Sequence, residues 1–231
     1  MTIPIVHQAP LNRYAATENR QTLDALEVIC LNLTGAAGSG KTSLLEAVIP
    51  RIEADLRVGV VQADHAATCD AQRIGELGIP VVQVLTDNQC HLSANQLQHA
   101  MTELPLADLD LLIVESTGSL VHQSTTHLGE HLRMATVSVT TGDALPGKYP
   151  LLFHDAAVIL LTKFDLLPHV EFNLSGTVHE IERDHPSAEL ICTDIRNRVG
   201  IDRLSGWILG YVRAQRVHHL REAELAGCVP S

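Results

Sequence analysis

Ten residues constrain this chain of 231 more than any others: "TGAAGSGKTS", residues 34–43. From Gly35 they fit the spacing G-x-x-x-x-G-K-[ST], and the flanks supply the context that makes such a match count. Before it lies a short β-branched run, "EVICLNL" (27–33), and after it "SLLEAVIPRIEADL", with apolar residues at helical spacing. A glycine-rich turn between strand and helix lets successive backbone N–H groups face a phosphate. Gly35, Gly38, Ser39, Gly40 and Ser43 are therefore expected around a nucleotide's phosphates. Lys41 is expected to reach the β and γ phosphates, and the Thr42 hydroxyl to ligate Mg²⁺.

The rest of the chain repeats the alternation. Short apolar runs follow at "RVGVVQ" (57–62), "PVVQVL" (80–85), "LDLLIVE" (109–115), "MATVSVT" (134–140), "AAVILLT" (156–162) and "AELICT" (188–193), most of them separated by helical stretches. Strands apolar on both faces and alternating with helices read as a parallel sheet covered on both sides. The expectation is an α/β, three-layer P-loop NTPase fold with a mostly parallel sheet. Three parts are expected: a helical extension over 1–26, the nucleotide domain over 27–216, and a tail over 217–231 in which a helix frays.

Composition narrows the partners. A formal charge of −11 argues against a long polyanion, which needs clustered Lys and Arg, but not against a single nucleotide held by backbone groups. The apolar runs are too short for a bilayer, and "MTIPIVHQAP" has no charged-then-apolar leader. The chain is expected to be soluble and cytoplasmic, without nucleic-acid or membrane partners. Five irregularly spaced cysteines argue against a disulfide framework, and Cys30 and Cys192, inside strand-like runs, are expected to be buried.

The segment "NQCHLS" (88–93) sets Cys90 beside His91. Adjacent side chains diverge on a helix and alternate on a strand, so the pair needs further ligands to hold an ion; otherwise it is an accident of composition. His127 and His131, four apart with Gly129 between them, are expected to be solvated rather than to share an ion.

Two carboxylates suit the Mg²⁺ side of a phosphate loop. Asp64 follows the strand "VGVVQA", and Glu115 ends "LDLLIVE" and begins Glu115-Ser-Thr-Gly118, where the Gly118 N–H can approach a γ-phosphate. Asp70 has two readings, orienting the attacking water or capping the helix "DAQRIGEL". After a later strand come Thr162, Lys163 and Asp165. A carboxylate there accepts both N1–H and N2–H of guanine while the lysine stem packs on the ring, which favours GTP.

With these residues in view, the chain resembles the HypB family, GTPases that deliver nickel during [NiFe]-hydrogenase maturation. The likeness runs from about "AATENRQ" to "WILGYV" and is most specific at "GAAGSGKTSLLE", "DAQRIGELGIPVVQV" followed by "CHL", "VESTGSLV" and "VTTGDALPGKYPLLF". The resemblance implies a dimerising GTPase of the signal-recognition and MinD (SIMIBI) class, with a client metalloenzyme or accessory protein. It also implies a metal site at the dimer interface, where the Cys-His pair gains a third ligand from the loop "GSLVHQ". Carried onto this chain, the Ni²⁺ or Zn²⁺ ligands are Cys90, His91 and His122.

The chain departs from the family in places. His122 stands where cysteine is usual, Thr162 where asparagine is usual, Gln62-Ala63 where Glu-Gly is usual, and the guanine loop is reduced to "TDIRNR". The N-terminal cysteine motif and histidine-rich segment of the family do not occur in this sequence, so nickel storage there is not expected. Together these changes describe a diverged paralogue. The rival readings are a urease-accessory GTPase, whose Cys-Pro-His motif is missing, a small-molecule ATP kinase, and a metal-binding regulator with vestigial nucleotide chemistry.

Overall fold

The computed structural model of the chain describes residues 8–65, 69–86, 91–118 and 126–227, so Cys90 and His122 lie outside the described residues. Helix α1 (Gln8–Ala25) leads into β1 (Ile29–Gly35) and α2 (Lys41–Ile52). Then come β2 (Val58–Asp64), α3 (Cys69–Gly75), β3 (Val81–Leu85), α4 (Ala94–Thr102), β4 (Leu111–Glu115) and β5 (Leu132–Ser138). The chain continues through two short helices, α5 (Leu145–Lys148) and α6 (Pro150–His154), to β6 (Ala156–Thr162). Helix α7 (Leu174–Asp184), β7 (Glu189–Cys192) and α8 (Ile201–Gly227) complete it.

The seven strands form one sheet in the order β3-β2-β4-β1-β5-β6-β7, and every pairing is parallel. This is the three-layer α/β architecture expected, with the sheet wholly rather than mostly parallel. β1 and β5 are buried at every position, as a sheet covered on both faces requires. Their alternation divides the core. Ile29, Leu31 and Leu33 face α2 and α8, packing with Leu44, Val48, Leu204 and Ile208. Val28 and Cys30 face the other way, with Leu23 of α1 and Leu97 and Met101 of α4. A third cluster joins Val137 and Ile159 to Phe153 and Ile181.

Cys30 is fully buried as expected, whereas Cys192, on the outermost strand, is partly exposed. The helix expected over 11–26 is α1, bound to the sheet layer by side chains as well as by Leu23. Asn12 Oδ1 accepts from the Ala94 N–H (2.8 Å), and Asn19 Nδ2 donates to the carbonyls of Ala94 and Leu128. His131 corrects an expectation. It is not solvated: its side chain is 6% exposed, Nδ1 accepts from the Cys30 N–H and Nε2 lies 2.8 Å from Asp24 Oδ1. His127 is exposed, as expected. Among the described residues no helix is long and apolar enough to cross a membrane.

The tail departs from the sequence reading. Helix α8 does not fray near residue 215 but continues to Gly227, and Arg216 within it donates to Asp110 Oδ1. Asp110, 6% exposed, precedes β4 and also accepts from the backbone N–H of Arg57 (2.7 Å) and from its guanidinium (2.8 Å). One carboxylate thus joins the starts of β2 and β4 to the last helix.

The hydrogen bonds from the Arg57 side chain, with those from its backbone N–H and from Arg216, outweigh burial and hold the Asp110 carboxyl down at about 2, below its ordinary 3.8. A depressed carboxyl stabilises the fold above its unfolded value, and that contribution disappears as pH falls through the folded one. Asp110→Asn should therefore lower urea-unfolding stability by about 1–2 kcal/mol at pH 7, a modest figure because Arg57 is largely exposed. The gap between variant and wild type should close between pH 4 and pH 2.

Candidate functional site

The chain reverses direction across the sheet at β1. From there it steps to β2 and β3, returns through β4, and continues on the other side with β5, β6 and β7. In a parallel α/β sheet the crevice at such a reversal, beyond the carboxyl ends of the strands, is where ligands bind. The ends of β2 and β4 deliver Asp64 and Glu115 to that crevice, while β1 and β6 end at Gly35 and Thr162.

The turn 36–40 fills its centre. Gly38 and Gly40 have φ of 70° and 90°, the left-handed region, so backbone N–H groups can turn inward without a Cβ penalty. Thr162, expected at a base, instead donates its hydroxyl to the Ser39 carbonyl (2.6 Å) and is 1% exposed. The Ser39 hydroxyl lies 2.7 Å from that of Thr136, so Ser39 is anchored from two strands, and its backbone N–H donates to the Ala36 carbonyl (3.1 Å).

A cleft opens over this turn. Gly38, Gly40, Lys41, Thr42, Ser43, Asp64, Asp70, Glu115, Gly118 and Lys163 all line it, along with Gln62, Arg73, Ser116 and Thr117. Most of the expected nucleotide residues thus share one cavity. Gly35, Ser39, Thr162 and Asp165 are not in its lining; Asp165 sits on the 3₁₀ turn Phe164–His169, after Lys163 in a left-handed conformation (φ 57°).

The charges inside the cleft are coupled. Lys41 Nζ, buried, donates to the carbonyls of Gly35 (3.2 Å) and Ala36 (3.1 Å). Burial lowers its pKa, opposed by the charges of Glu115, Asp64 and Asp70. Thr42 donates to Glu115 Oε1 at 2.7 Å. Burial raises the Glu115 pKa against that hydrogen bond and the Lys41 charge. Glu115 Oε2 and Gln62 Oε1, on register partners of β4 and β2, are both buried without a hydrogen-bond partner. Two unpaired buried oxygens near a threonine hydroxyl and Asp64 form the hard oxygen set that suits Mg²⁺.

Asp70 lies inside the first turn of α3, so it does not cap that helix. It bonds Arg73 (2.8 Å), and Arg73 also bonds Glu46 (2.9 Å) and Ser43 (3.1 Å) of α2. Sequence reasoning missed Arg73; its spacing of three from Asp70 on a helix was the available signal. Of the expected Ni²⁺ or Zn²⁺ ligands only His91 is described. It lines a second, small cavity with Asn32, Ser116 and Thr126. Among the described residues no cluster of three His, Cys, Asp or Glu side chains could hold a metal.

Residues 29–191 match the model of the CobW/HypB/UreG nucleotide-binding domain. The hydrogenase maturation factor HypB of Azotobacter vinelandii is 39% identical over 197 residues, which cover 85% of this chain and 65% of that protein. The chain thus spans just under two thirds of that relative's length. Among solved structures, that of the hydrogenase maturation factor HypB from Archaeoglobus fulgidus superposes with a TM-score of 0.83 at 30% identity, covering 88% of this chain and 99% of the other. The structure of HypB from Helicobacter pylori in complex with nickel gives a TM-score of 0.82 at 27% identity, over 89% and 96%.

Gly118 offers a direct check on the cleft. A Cβ there would stand 2.6 Å from both the Cβ and the backbone N of Ala37, so alanine must push the phosphate turn away from the end of β4. Gly118→Ala should weaken nucleotide binding about tenfold, or about 1.4 kcal/mol, in a fluorescent-nucleotide titration, while the far-UV spectrum is unchanged. Unaltered affinity would mean that the two segments need not meet.

Proposed function

The chain belongs to the CobW/HypB/UreG family, and on that footing we propose that it is a GTP-hydrolysing metallochaperone. It would bind nickel or zinc at the interface of a homodimer and deliver it during maturation of a metalloenzyme such as [NiFe]-hydrogenase, in the cytoplasm. The observation that carries the nucleotide half is the Thr42–Glu115 hydrogen bond at 2.7 Å, which places the loop hydroxyl and a buried carboxylate on one point of the cleft beside Lys41.

In this reading the backbone from Gly35 to Ser43 cradles the phosphates and Lys41 balances the charge on the β and γ groups. Thr42, Asp64 and Glu115 would hold Mg²⁺, which when bound neutralises charge on the phosphate oxygens. The Gly118 N–H approaches the γ-phosphate, and Asp70, steadied by Arg73, orients the attacking water. Loss of the γ-phosphate then relaxes the segments after Asp64 and Glu115. Lys163 and Asp165 select guanine; with Thr162 committed to the Ser39 carbonyl, the base contact rests on Asp165.

The metal half rests on Cys90, His91 and His122. Support for it is the nickel complex of the Helicobacter pylori relative and the position of His91 one residue from Cys90. Three ligands leave a tetrahedral site open, so a second copy related by a two-fold axis supplies the remainder.

Phosphate release with GTP and ATP side by side tests the first half. Asp165→Asn should weaken GTP about tenfold, since it removes a charge-assisted double acceptor; equal affinity of the wild type for ATP and GTP would overturn the assignment. Equilibrium dialysis of Ni²⁺ and Zn²⁺ tests the second. One metal per two chains is expected in the GTP-bound form, with most of the affinity lost in Cys90→Ala. Full-affinity binding of one metal per monomer, indifferent to Cys90→Ala, would overturn the interface site.

A further inference from the structure

Two buried acceptors in the cleft have no donor within the protein. Gln62 and Glu115 are 2% and 4% exposed, and both line the cavity over the phosphate turn. They are register partners on β2 and β4, and the alternation that packs Val60 and Ile113 against α2 turns them to that same face. Gln62 Oε1 and Glu115 Oε2 are each buried without a hydrogen-bond partner. Neither satisfies the other, because an amide oxygen and an ionised carboxylate only accept.

The polar network on the neighbouring strands is closed by contrast. Ser116 donates to Asn32 Oδ1 (2.7 Å), Asn32 Nδ2 donates to Glu130 Oε1 (3.2 Å), and Arg133 bonds that same oxygen at 2.7 Å. In the cleft, Lys41 is turned to the carbonyls of Gly35 and Ala36, and Arg73 to Asp70, Glu46 and Ser43. A buried acceptor left unpaired destabilises a fold, so two of them lining one cavity point to a ligand that brings donors.

The chemistry of the cleft says which ligand. Thr42 gives its proton to Glu115 Oε1, which leaves the lone pairs of its hydroxyl for a cation. Mg²⁺ dehydrates reluctantly and keeps several waters when a protein holds it through one or two oxygens. Each such water turns its oxygen to the metal and both O–H groups outward, and each O–H needs an acceptor. An amide oxygen and a carboxylate oxygen on paired strands supply two.

We propose that Gln62 is a positioning residue for the nucleotide's Mg²⁺, its amide oxygen accepting, together with Glu115 Oε2, from water of the metal's hydration shell. This role rests on the nucleotide reading above and adds Gln62 to Thr42, Asp64 and Glu115. Before metal and nucleotide bind, the Gln62 oxygen lowers the stability of the fold, and binding removes that penalty. The competing use of the amide lies within the sheet. Gln83 Nε2, on the register partner of Gln62 in β3, is a buried donor without a partner and lies outside the cleft lining.

The test uses the full chain. A fluorescent, non-hydrolysable GTP analogue is titrated in EDTA and across a Mg²⁺ series on the wild type, Gln62→Leu and Gln62→Glu, and each nucleotide-free protein is unfolded in urea. Leucine removes the oxygen, and glutamate keeps one. The Mg²⁺ concentration that gives half of the tightening should rise about tenfold in Gln62→Leu and stay at or below the wild-type value in Gln62→Glu. Affinity in EDTA should stay within about threefold in both. Gln62→Leu should unfold at the same or a higher urea concentration than the wild type, since an unpaired buried acceptor is gone. A folded Gln62→Leu with wild-type Mg²⁺ dependence, or a Gln62→Glu equally impaired, overturns the role and leaves the nucleotide reading standing. A Gln62→Leu that is destabilised or unfolded without nucleotide would mean that the amide is already bonded inside the fold, to Gln83 or to Glu115, and overturns the role as well. A wild type whose nucleotide affinity ignores Mg²⁺ overturns the metal assignment of Thr42, Asp64 and Glu115, and this role with it.

Discussion

A strand buried on both faces can carry a charge only at its ends or inside a fully paired network. β1 is such a strand, with β4 and β5 hydrogen-bonded to either side and helices on both faces. That constraint arranges the rest of the molecule. Polar side chains are driven to the carboxyl ends of the strands, where the reversal of the chain opens a crevice, and the helix that begins at Lys41 aims its unpaired N–H groups into the same space. Binding chemistry collects there because it has no cheaper place in the fold. Where a polar residue does fall inside β1, as Asn32 does, it is held at both ends, by Ser116 and by Glu130.

The electrostatics of the cleft follow from that crowding. Glu115, Asp64 and Asp70 share it with Lys41, and burial acts on each side in opposite directions, weakening the charge on Lys41 and on Glu115 alike. Their mutual attraction offsets part of that cost, and a ligand that brings phosphate and a divalent cation together offsets more. A chain with a formal charge of −11 can thus still gather positive charge in one cleft: Lys41, Arg73 and Lys163 line it, and the start of α2 adds backbone N–H groups.

Much of this was legible in the sequence, for identifiable reasons. The apolar runs marked all seven strands, because the inner strands, buried on both faces, leave continuous runs and the half-buried edge strands β3 and β7 remain largely apolar. Strand ends were less clear: β1 extends through Thr34 and Gly35 because β5 pairs with them, a partner a hundred residues away. The cleft was readable because its residues sit at fixed offsets from the phosphate turn and from strand ends. Arg73, Glu130 and Arg133 were not, since their roles come from partners brought close by folding. His131 was misread for the same reason. It was expected to be solvated, yet the segment enters β5 and the ring is fixed by Asp24 of α1 and by the Cys30 backbone. The long last helix was underestimated because a polar, histidine-rich stretch shows no strong apolar face.

Thr162 shows how a departure from a family pattern is to be weighed. An asparagine at that position has a carbonyl and an amide to divide between the phosphate turn and a base, whereas a threonine has one hydroxyl. Here the hydroxyl's single proton is given to the Ser39 carbonyl at 2.6 Å, behind the turn and out of the cleft. The substitution therefore keeps the contact that shapes the loop and gives up the one that could reach a base. The contact behind the turn is kept, and in the proposed function the burden of discrimination moves to Asp165. A carboxylate can still tell guanine from adenine through two donors that only guanine has. On the proposed reading, then, the turn that this contact shapes would serve the phosphate half of the site, and the base half would depend on a single side chain.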